Sequence, residues 1–287
     1  MKVETRRADL AGAWYPGRES ECRRQIEEFM QKGIPCPPEG GSAVGGIVPH
    51  AGWVFSGRIA CSVIRCLKGD EDPDTCVIFG RHLPPSGNRY IMTSGAWETP
   101  LGSIEIDSEL AAGIESEYEF VVETGSRYEQ DNTIELQLPF IKYFFPETRI
   151  LPIGVPPSLT SLDLAARVAG IGTSLGRRMI VIGSTDLTHY GMNYGFTPKG
   201  SGKEALKWVR EENDRKAVEL MVNMDARGIV LESLKSRNAC CGGAAGAAVE
   251  AAHTLGAVQG EELVYATSYD VRPDSSFVGY AGLLFYS

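Results

Sequence analysis

The sequence predicts an α/β fold, a single domain with a central sheet of mostly parallel or mixed direction flanked by helices. Three short apolar runs are typical of buried strands, and stretches with helical periodicity separate them. A histidine follows each run within a few residues: His50 after 43–48, His82 after 75–79 and His189 after 179–183. The carboxyl ends of parallel strands meet at one edge of a sheet, where ligands bind in open α/β folds. We therefore expect the three imidazoles to converge there.

Helical and extended patterns around these runs predict the first half of the fold. Apolar residues at helical spacing over 20–32 end at Gly33, which stops a helix, and a Pro/Gly-rich connector follows over 35–46. A second amphipathic pattern over 60–67 lies between the first two strands. Because a strand, a helix and a strand form a βαβ unit, we expect those two strands to be parallel.

The remaining patterns alternate between helix and strand. In order, they are an irregular stretch over 90–107, a helix over 108–117, a helix over 134–145 interrupted at Pro139, a strand over 149–153, a helix over 161–175, helices over 203–222 and 226–235, a small-residue helix over 244–252, and strands over 263–268 and 278–285. No repeat, low-complexity tract or linker divides the chain. The prediction is one domain spanning residues 1–287.

Composition excludes several classes of partner. The chain has 28 Lys and Arg against 37 Asp and Glu, a formal charge of -9, and no basic cluster, so we expect no nucleic-acid partner. The charged N-terminus does not resemble a signal peptide, and no apolar run reaches about 18 residues. We expect a cytoplasmic protein without a membrane partner.

The seven cysteines form an odd set without a Cys-x-x-Cys pair. This pattern predicts neither a disulfide framework nor a structural zinc knuckle. Most of the cysteines are expected to be small buried side chains in a reducing compartment.

The loops that carry the histidines suggest a metal-dependent or acid/base site. His50 and His82 stand among glycines, which let a backbone pass close to a ligand, and prolines, which stiffen a loop. A lone histidine is more often structural, but two at matching strand ends make a site equally plausible. Asp186 could fix the tautomer of His189 or, alternatively, cap a short helix. His253 lies in the middle of a predicted helix and is expected to be a surface residue.

Two adjacent cysteines, Cys240 and Cys241, directly precede the small-residue helix. A helix N-terminus favours a thiolate, which can ligate a metal or act as a nucleophile. The alternative is two small buried residues at a tight turn. Ser184 lies beside Asp186 and His189, but without a Gly-x-Ser-x-Gly turn the case for a serine nucleophile is weak.

Seven segments occur in one order along nearly the whole chain. They are AWYPG at 13–17, VPHAGW at 48–53, GRH at 80–82, WETPLG at 97–102 with Asp107, IELQLPF at 134–140, GSTDLTH at 183–189, and Cys241 with Gly242. Together they resemble the Memo family, which is similar in fold to the class III nonhaem-iron extradiol dioxygenases. The resemblance implies a metal at the strand ends.

By this resemblance, His50, His82 and Cys241 are the expected metal ligands, with Asp186 and His189 lining the same pocket. Cys241 is preferred to its neighbour because the family's glycine follows it, and it takes the place of a glutamate in the dioxygenases. Two imidazoles and one anionic ligand leave open positions on Fe(II), the first choice of metal. A thiolate shifts the preference toward copper, the second choice, or zinc.

The chain departs from the family at Asn132, where a histidine is usual. An asparagine can donate and accept hydrogen bonds but cannot exchange a proton near neutral pH. Asn132 and four aromatic residues are the candidate substrate-binding residues. The aromatic residues, for which ordinary packing is the alternative, are Trp14, Tyr15, Trp53 and Trp97.

These expectations lead to three functional hypotheses. The first is a metal-dependent, dioxygenase-like oxidoreductase acting on a small molecule, with His189 as acid/base and Asp186 orienting it. The second is a non-catalytic module that binds peptides through the same pocket, since eukaryotic relatives are associated with phosphotyrosine-peptide recognition. The third is a metal-dependent hydrolase.

Overall fold

The strands that carry the three histidines lie next to one another at the centre of a large mixed sheet. The structure is a computed structural model and describes residues 4–37 and 43–287. Its strands are β1 (Thr5–Arg6), β2 (Ala43–Val48), β3 (Thr75–Gly80), β4 (Tyr90–Met92), β5 (Ala96–Trp97), β6 (Ile104–Glu105), β7 (Val121–Glu123), β8 (Arg149–Gly154), β9 (Met179–Ser184), β10 (His189–Tyr190), β11 (Gln259–Thr267) and β12 (Phe277–Tyr286).

Helices connect most of these strands. They are α1 (Glu19–Gln31), α2 (Trp53–Cys66), α3 (Ser108–Glu115), α4 (Asn132–Glu135), α5 (Leu138–Phe144), α6 (Thr160–Ser174), α7 (Lys203–Trp208), α8 (Asp214–Val222), α9 (Ala226–Ser236), α10 (Gly242–Thr254) and α11 (Ser268–Val271). A 3-10 turn lies at Met192–Tyr194, and a π-helical turn at Val209–Asn213 joins α7 to α8.

The large sheet has the order β10-β12-β2-β9-β3-β8-β4-β7, and β11 pairs along β12. Strands β2, β9, β3 and β8 are mutually parallel, whereas β12 and β4 run antiparallel to their neighbours β2 and β8. This confirms the predicted α/β fold with a mixed, mostly parallel sheet. β2 and β3 are parallel as expected, but β9 lies between them. A small second sheet has the order β1-β5-β6.

Helices cover both faces of the central strands. Because alternate side chains of a strand point to opposite faces, Val77 packs with α6 and α10, whereas its neighbour Ile78 packs with α2 and α5. The glycines and alanines of α10 let this helix approach the sheet closely. A Cβ at Gly183 would lie 2.8 Å from the Cβ of Ala248. The carboxyl end of β9 is therefore held directly against α10.

The interruption predicted at Pro139 is confirmed, and a second predicted helix is interrupted where its sequence pattern is continuous. The stretch predicted over 134–145 is divided into α4 and α5, and the break precedes Pro139, which lies in the first turn of α5. Proline is tolerated there because a first-turn N–H has no partner within the helix. The stretch predicted over 203–222 contains the π-helical turn. The connector predicted over 35–46 ends at Ala43, where β2 begins, and its residues 38–42 lie outside the described residues.

The expectation that no disulfide forms is wrong. Cys36, in the connector after α1, is bonded to Cys66 at the end of α2, and their Cα atoms lie 5.4 Å apart. The two positions are 30 residues apart and meet only because the connector folds back along α2. This bond weakens the argument from cysteine usage for a reducing compartment. In the part of the chain that the structure describes, no helix has both the length and the apolar character needed to cross a bilayer.

Trp53 is a core residue at the start of α2, and its substitution should destabilise the fold. Its side chain is 2% exposed, stacks on Phe140 at 4.2 Å and donates from Nε1 to the carbonyl of Leu136. We expect Trp53→Ala to lower the free energy of unfolding by about 3–5 kcal/mol, measured by urea denaturation. Trp14, which is 42% exposed, is the matched control, and Trp14→Ala should change it by less than about 0.5 kcal/mol. Equal effects would contradict this assignment.

Candidate metal centre

Four side chains converge at the carboxyl edge of the parallel strands. His50 follows β2, His82 follows β3, and Cys240 and Cys241 directly precede α10. One nitrogen or sulfur atom from each lies within 4.8 Å of the others. We call these four residues the His/Cys cluster. The cluster contains the three ligands that the family resemblance implies, together with Cys240, which the sequence analysis set aside.

Three of the distances between these atoms are close to those expected between the ligands of a tetrahedral metal ion. Metal–sulfur bonds of about 2.3 Å and metal–nitrogen bonds of about 2.0 Å place tetrahedral ligands about 3.8 Å apart for two sulfurs and about 3.5 Å for sulfur and nitrogen. The Sγ atoms of Cys240 and Cys241 are 3.8 Å apart. Cys240 Sγ lies 3.2 Å from His50 Nε2, and Cys241 Sγ lies 3.4 Å from His82 Nδ1. The two cysteines therefore have equally good positions, and the geometry does not favour Cys241 over Cys240.

The orientation of the His50 ring is set by a serine at the end of β9. The Ser184 hydroxyl donates to the carbonyl of Thr133 at 2.6 Å, so it can accept from His50 Nδ1, which is 3.0 Å away. With its proton on Nδ1, the neutral ring directs the lone pair of Nε2 toward the cluster. A hydrogen bond on the far nitrogen of this kind fixes a metal-binding imidazole. Ser184 therefore acts here as a support for His50.

The two thiols share one negative charge. Burial disfavours charge on both sulfurs, but hydrogen bonds from Cys241 and His50 hold the pKa of Cys240 well below its ordinary value. Burial and the adjacent Cys240 thiolate raise the pKa of Cys241 well above its ordinary value. The expectation that the following helix depresses the pKa of Cys241 is thus wrong, because burial and the Cys240 thiolate, whose sulfur lies 3.8 Å away, raise it. A bound cation would remove this conflict by neutralising both thiolates.

Asp186 contacts both of its neighbouring histidines. Its Oδ1 accepts from the backbone N–H of His50 at 2.8 Å, and its Oδ2 lies 3.6 Å from His189 Nε2. No helix begins after Asp186 in the described structure, since Leu187 and Thr188 lead into β10, so the helix-cap alternative is wrong. Burial lowers the pKa of His189, but the Asp186 hydrogen bond and the Cys240 thiolate offset this, and the net shift is upward.

The cluster opens on a cleft with a volume of about 570 Å³. Besides His50 and His82, its walls include residues from helices, strands and loops: Trp14, Phe55, Asn132, Asp186, His189, Tyr194, Arg272, Asp274 and Tyr280. The ring of Tyr194 stacks on His189 with centroids 5.0 Å apart. Cys240 and His189 also line a second, smaller cavity of about 300 Å³. The predicted acid/base pair therefore lies beside the cluster.

The other predicted substrate-binding residues occupy different positions. Trp14 and Asn132 line the cleft, and the Asn132 side chain donates to the carbonyl of His50 at 3.1 Å. Tyr15 and Trp53 are almost fully buried and line a neighbouring cavity of about 610 Å³. Trp97 is 1% exposed and lies under the Arg6 guanidinium, away from the cleft. His253 is exposed, as expected.

Two residues of the site were not predicted from the sequence: Cys240, a member of the His/Cys cluster, and Thr133, which contacts the residues beside it. Cys240 was set aside although adjacent cysteines are themselves a signal for a shared ligand set. Thr133 carries no sequence signal, because its role depends on the contacts of its carbonyl and hydroxyl with two other loops. Cys240 and Thr133 meet their partners in the site only when the chain is folded.

Comparison with known proteins points to one family. The model of the Memo-like protein family matches residues 6–284. A MEMO1 family protein of Pyrobaculum aerophilum is 34% identical over 99% of this chain and 100% of its own length. Those of Thermococcus onnurineus and Methanosarcina barkeri are also 34% identical, over 96% and 97% of this chain and 97% and 99% of their own lengths.

Metal uptake by this cluster should release protons. Burial lowers the pKa of His50, but Asp186 and the Cys240 thiolate more than offset this and raise it to about 9. His50 and Cys241 both carry protons at pH 8 in the metal-free protein, and both must lose them to bind a metal. We expect about two protons released per zinc ion at pH 8, and an affinity that rises with pH between about 6 and 9. Calorimetry in buffers of different ionisation enthalpy measures the release.

The exposed His253 provides the control for proton release. Its ring nitrogens contact the carbonyls of Ala257 and Met224, and it lies at the opposite end of α10 from Cys241, about 18 Å along the helix. His253→Ala should release the same number of protons as the unmodified protein. A zinc affinity that does not depend on pH would contradict the proton assignment at His50 and Cys241.

Proposed function

This chain is a member of the Memo-like protein family, and we propose that it is a metal-dependent enzyme that carries out an oxidation or redox step on a small molecule. The observation that carries the proposal is the His/Cys cluster, whose two imidazoles and two thiols fit one metal ion and open on a cleft. A cleft of about 570 Å³ lies within the range of small-molecule sites.

The ligand set determines which metals suit the site. A metal bound there would supply a Lewis acid and, if it is iron or copper, a redox centre. The family resemblance favours Fe(II). Participation of Cys240 as a second thiolate shifts the preference toward copper or zinc, which bind sulfur more readily.

His189 is the proposed acid/base residue. It lies at the cleft wall, half-buried, and its Nε2 faces the Asp186 carboxylate at 3.6 Å. Its raised pKa favours the protonated imidazole, which can transfer that proton to a substrate atom in the cleft. Asp186 holds the ring in place and also binds the backbone of His50, so it ties the acid/base residue to the cluster.

Asn132 limits the chemistry on the opposite wall. Its amide donates to the carbonyl of His50, and its oxygen can accept a hydrogen bond from a ligand. It cannot transfer a proton near neutral pH. Proton transfer in this cleft therefore depends on His189, whereas a family member with histidine at this position has two such groups.

A second candidate function is peptide binding without catalysis. Trp14, Gly52 and Phe55 line both the cleft and the neighbouring cavity of about 610 Å³, so an extended ligand could occupy both. Peptide binding that persists after metal removal would favour this candidate. A bound zinc ion, together with hydrolysis that needs no oxygen, would favour a hydrolase.

Cobalt substitution should identify the thiolate ligands. A thiolate bound to Co²⁺ gives an intense near-ultraviolet charge-transfer band, which oxygen and nitrogen ligands do not give. We expect Cys240→Ser and Cys241→Ser each to reduce the band by about half and the double variant to abolish it, since each sulfur would be one of two thiolate ligands. Asp186→Asn should keep the full band and weaken cobalt binding only about 10- to 100-fold. A band unchanged in both single variants would exclude both cysteines as ligands.

His189→Ala should separate proton transfer from metal binding. We expect this variant to retain its metal and to slow the reaction about 10²- to 10⁴-fold, the usual effect of removing a positioned acid or base. The reaction can be followed as oxygen uptake by the Fe(II)-loaded protein with catechol as the probe, alongside metal analysis. His50→Ala and His82→Ala should instead bind the metal so weakly that the purified protein does not retain it. Loss of metal from His189→Ala would make His189 a ligand.

A further inference from the structure

We propose that Arg81 is a positioning residue that sets His82 for metal binding, an inference that rests on the proposed metal site. Arg81 immediately precedes His82, in the loop after β3, and its backbone has a φ of +79°. Residues with a side chain rarely adopt this left-handed conformation, which persists only where surrounding contacts enforce it. The Arg81 side chain is 6% exposed and makes those contacts.

Three groups hold the Arg81 guanidinium. Its Nη1 lies 3.1 Å from Glu123 Oε1 as an ion pair, and its Nη2 donates to Glu129 Oε2 at 3.2 Å. The guanidinium also lies over the ring of Tyr90, 3.8 Å from the centroid. Glu123 ends β7 and Tyr90 begins β4, so the side chain is fixed to the sheet on the far side of β8. These contacts resist rotation of the loop.

The backbone of Arg81 is hydrogen-bonded to Thr133, which also positions the serine that holds His50. Its N–H donates to the Thr133 hydroxyl at 2.8 Å, and that hydroxyl donates to Asp131 at 2.9 Å. The Thr133 carbonyl accepts from Ser184, which holds His50. One residue, Thr133, thus fixes the backbone before His82 and the ring of His50.

Neighbouring glycines make room for this arrangement. A Cβ at Gly154 would lie 2.6 Å from Arg81 Cδ, and a Cβ at Gly80 would lie 2.3 Å from the Thr133 hydroxyl oxygen. Side chains at either position would displace the arginine or break its backbone hydrogen bond. The space around Arg81 thus depends on glycines at the ends of two paired strands, β3 and β8.

The orientation of the His82 ring depends on its backbone conformation more than that of the His50 ring does. The His82 side chain is exposed and contacts the cluster itself: Nδ1 lies 3.4 Å from Cys241 Sγ, and the centroids of the His82 and His50 rings lie 4.9 Å apart in an edge-to-face arrangement. Within residues 4–37 and 43–287, no hydrogen bond outside the cluster orients the His82 imidazole. The conformation of the Arg81 backbone is therefore what directs the imidazole to the cluster.

Arg6 provides a matched control in the same ion-pair network. It donates from Nη1 to Glu123 Oε2 at 2.8 Å, is also buried, and lies over the ring of Trp97. Arg6 is in β1, remote in sequence from the loops that carry His50 and His82. Loss of either arginine disturbs Glu123, but only loss of Arg81 should disturb His82.

The experiment measures zinc affinity by competition with a chromophoric chelator, using the full chain. Arg81→Gln should weaken zinc binding about 10- to 100-fold, the usual effect of removing a group that orients a ligand. Arg6→Gln should change it less than about threefold. Thermal unfolding of each metal-free variant reports damage to the fold separately.

A double variant tests whether Arg81 acts through His82. In a His82→Ala background, where the imidazole is absent, Arg81→Gln should change the remaining zinc affinity less than about threefold. The proposal is overturned if Arg81→Gln binds zinc as tightly as the unmodified protein, if Arg6→Gln weakens binding equally, or if the Arg81 effect persists without His82. Failure of the unmodified protein to bind zinc, cobalt or iron would instead overturn the proposed function.

If Arg81→Gln does not fold, Thr133→Val replaces it in the same measurements. This substitution keeps the ion pairs of Arg81 and removes the hydroxyl that accepts from its N–H. It should weaken zinc binding in the His82-containing protein by more than it does in the His82→Ala background. Equal weakening in both backgrounds would contradict a role through His82.

Discussion

Two thiols and two imidazoles packed within 4.8 Å impose the main electrostatic constraint on this protein. In the metal-free state the two sulfurs, 3.8 Å apart, cannot both be ionised, and the charge rests on Cys240 beside a protonated His50. A divalent cation satisfies all four groups at once and displaces their protons. Contacts with the surrounding residues keep the four side chains of the His/Cys cluster together, although the burial of their charge is unfavourable.

The supports come from the parallel arrangement of the central strands. Since β9 lies between β2 and β3, Ser184 at its end can reach His50 while Thr133 bridges toward the loop of His82. Asp186 extends the same network to His189. The proposed acid/base residue and the His/Cys cluster are thus parts of one network of polar contacts, and displacement of one element would alter the positions of the others.

Much of this arrangement could be predicted from the sequence. Apolar runs followed by histidines identified the strands, because hydrophobic patterning and side-chain chemistry are local properties, and the βαβ connection predicted that the first two strands are parallel and share one edge. The contacts that individual side chains make with residues distant in sequence could not be predicted. Trp97 packs under Arg6, Cys36 meets Cys66, and Cys240 joins the cluster only through contacts between residues distant in sequence. The raised pKa of Cys241 likewise depends on a neighbouring charge that local helix position did not reveal.

The most direct test of the account is the metal content of the untagged protein purified without oxygen. The His/Cys cluster predicts about one equivalent of iron, copper or zinc per chain, retained through gel filtration in chelator-free buffer. An affinity tag must be absent because its histidines bind metals themselves. Protein that contains no transition metal, and takes up none when the metal is supplied under reducing conditions, would contradict the account.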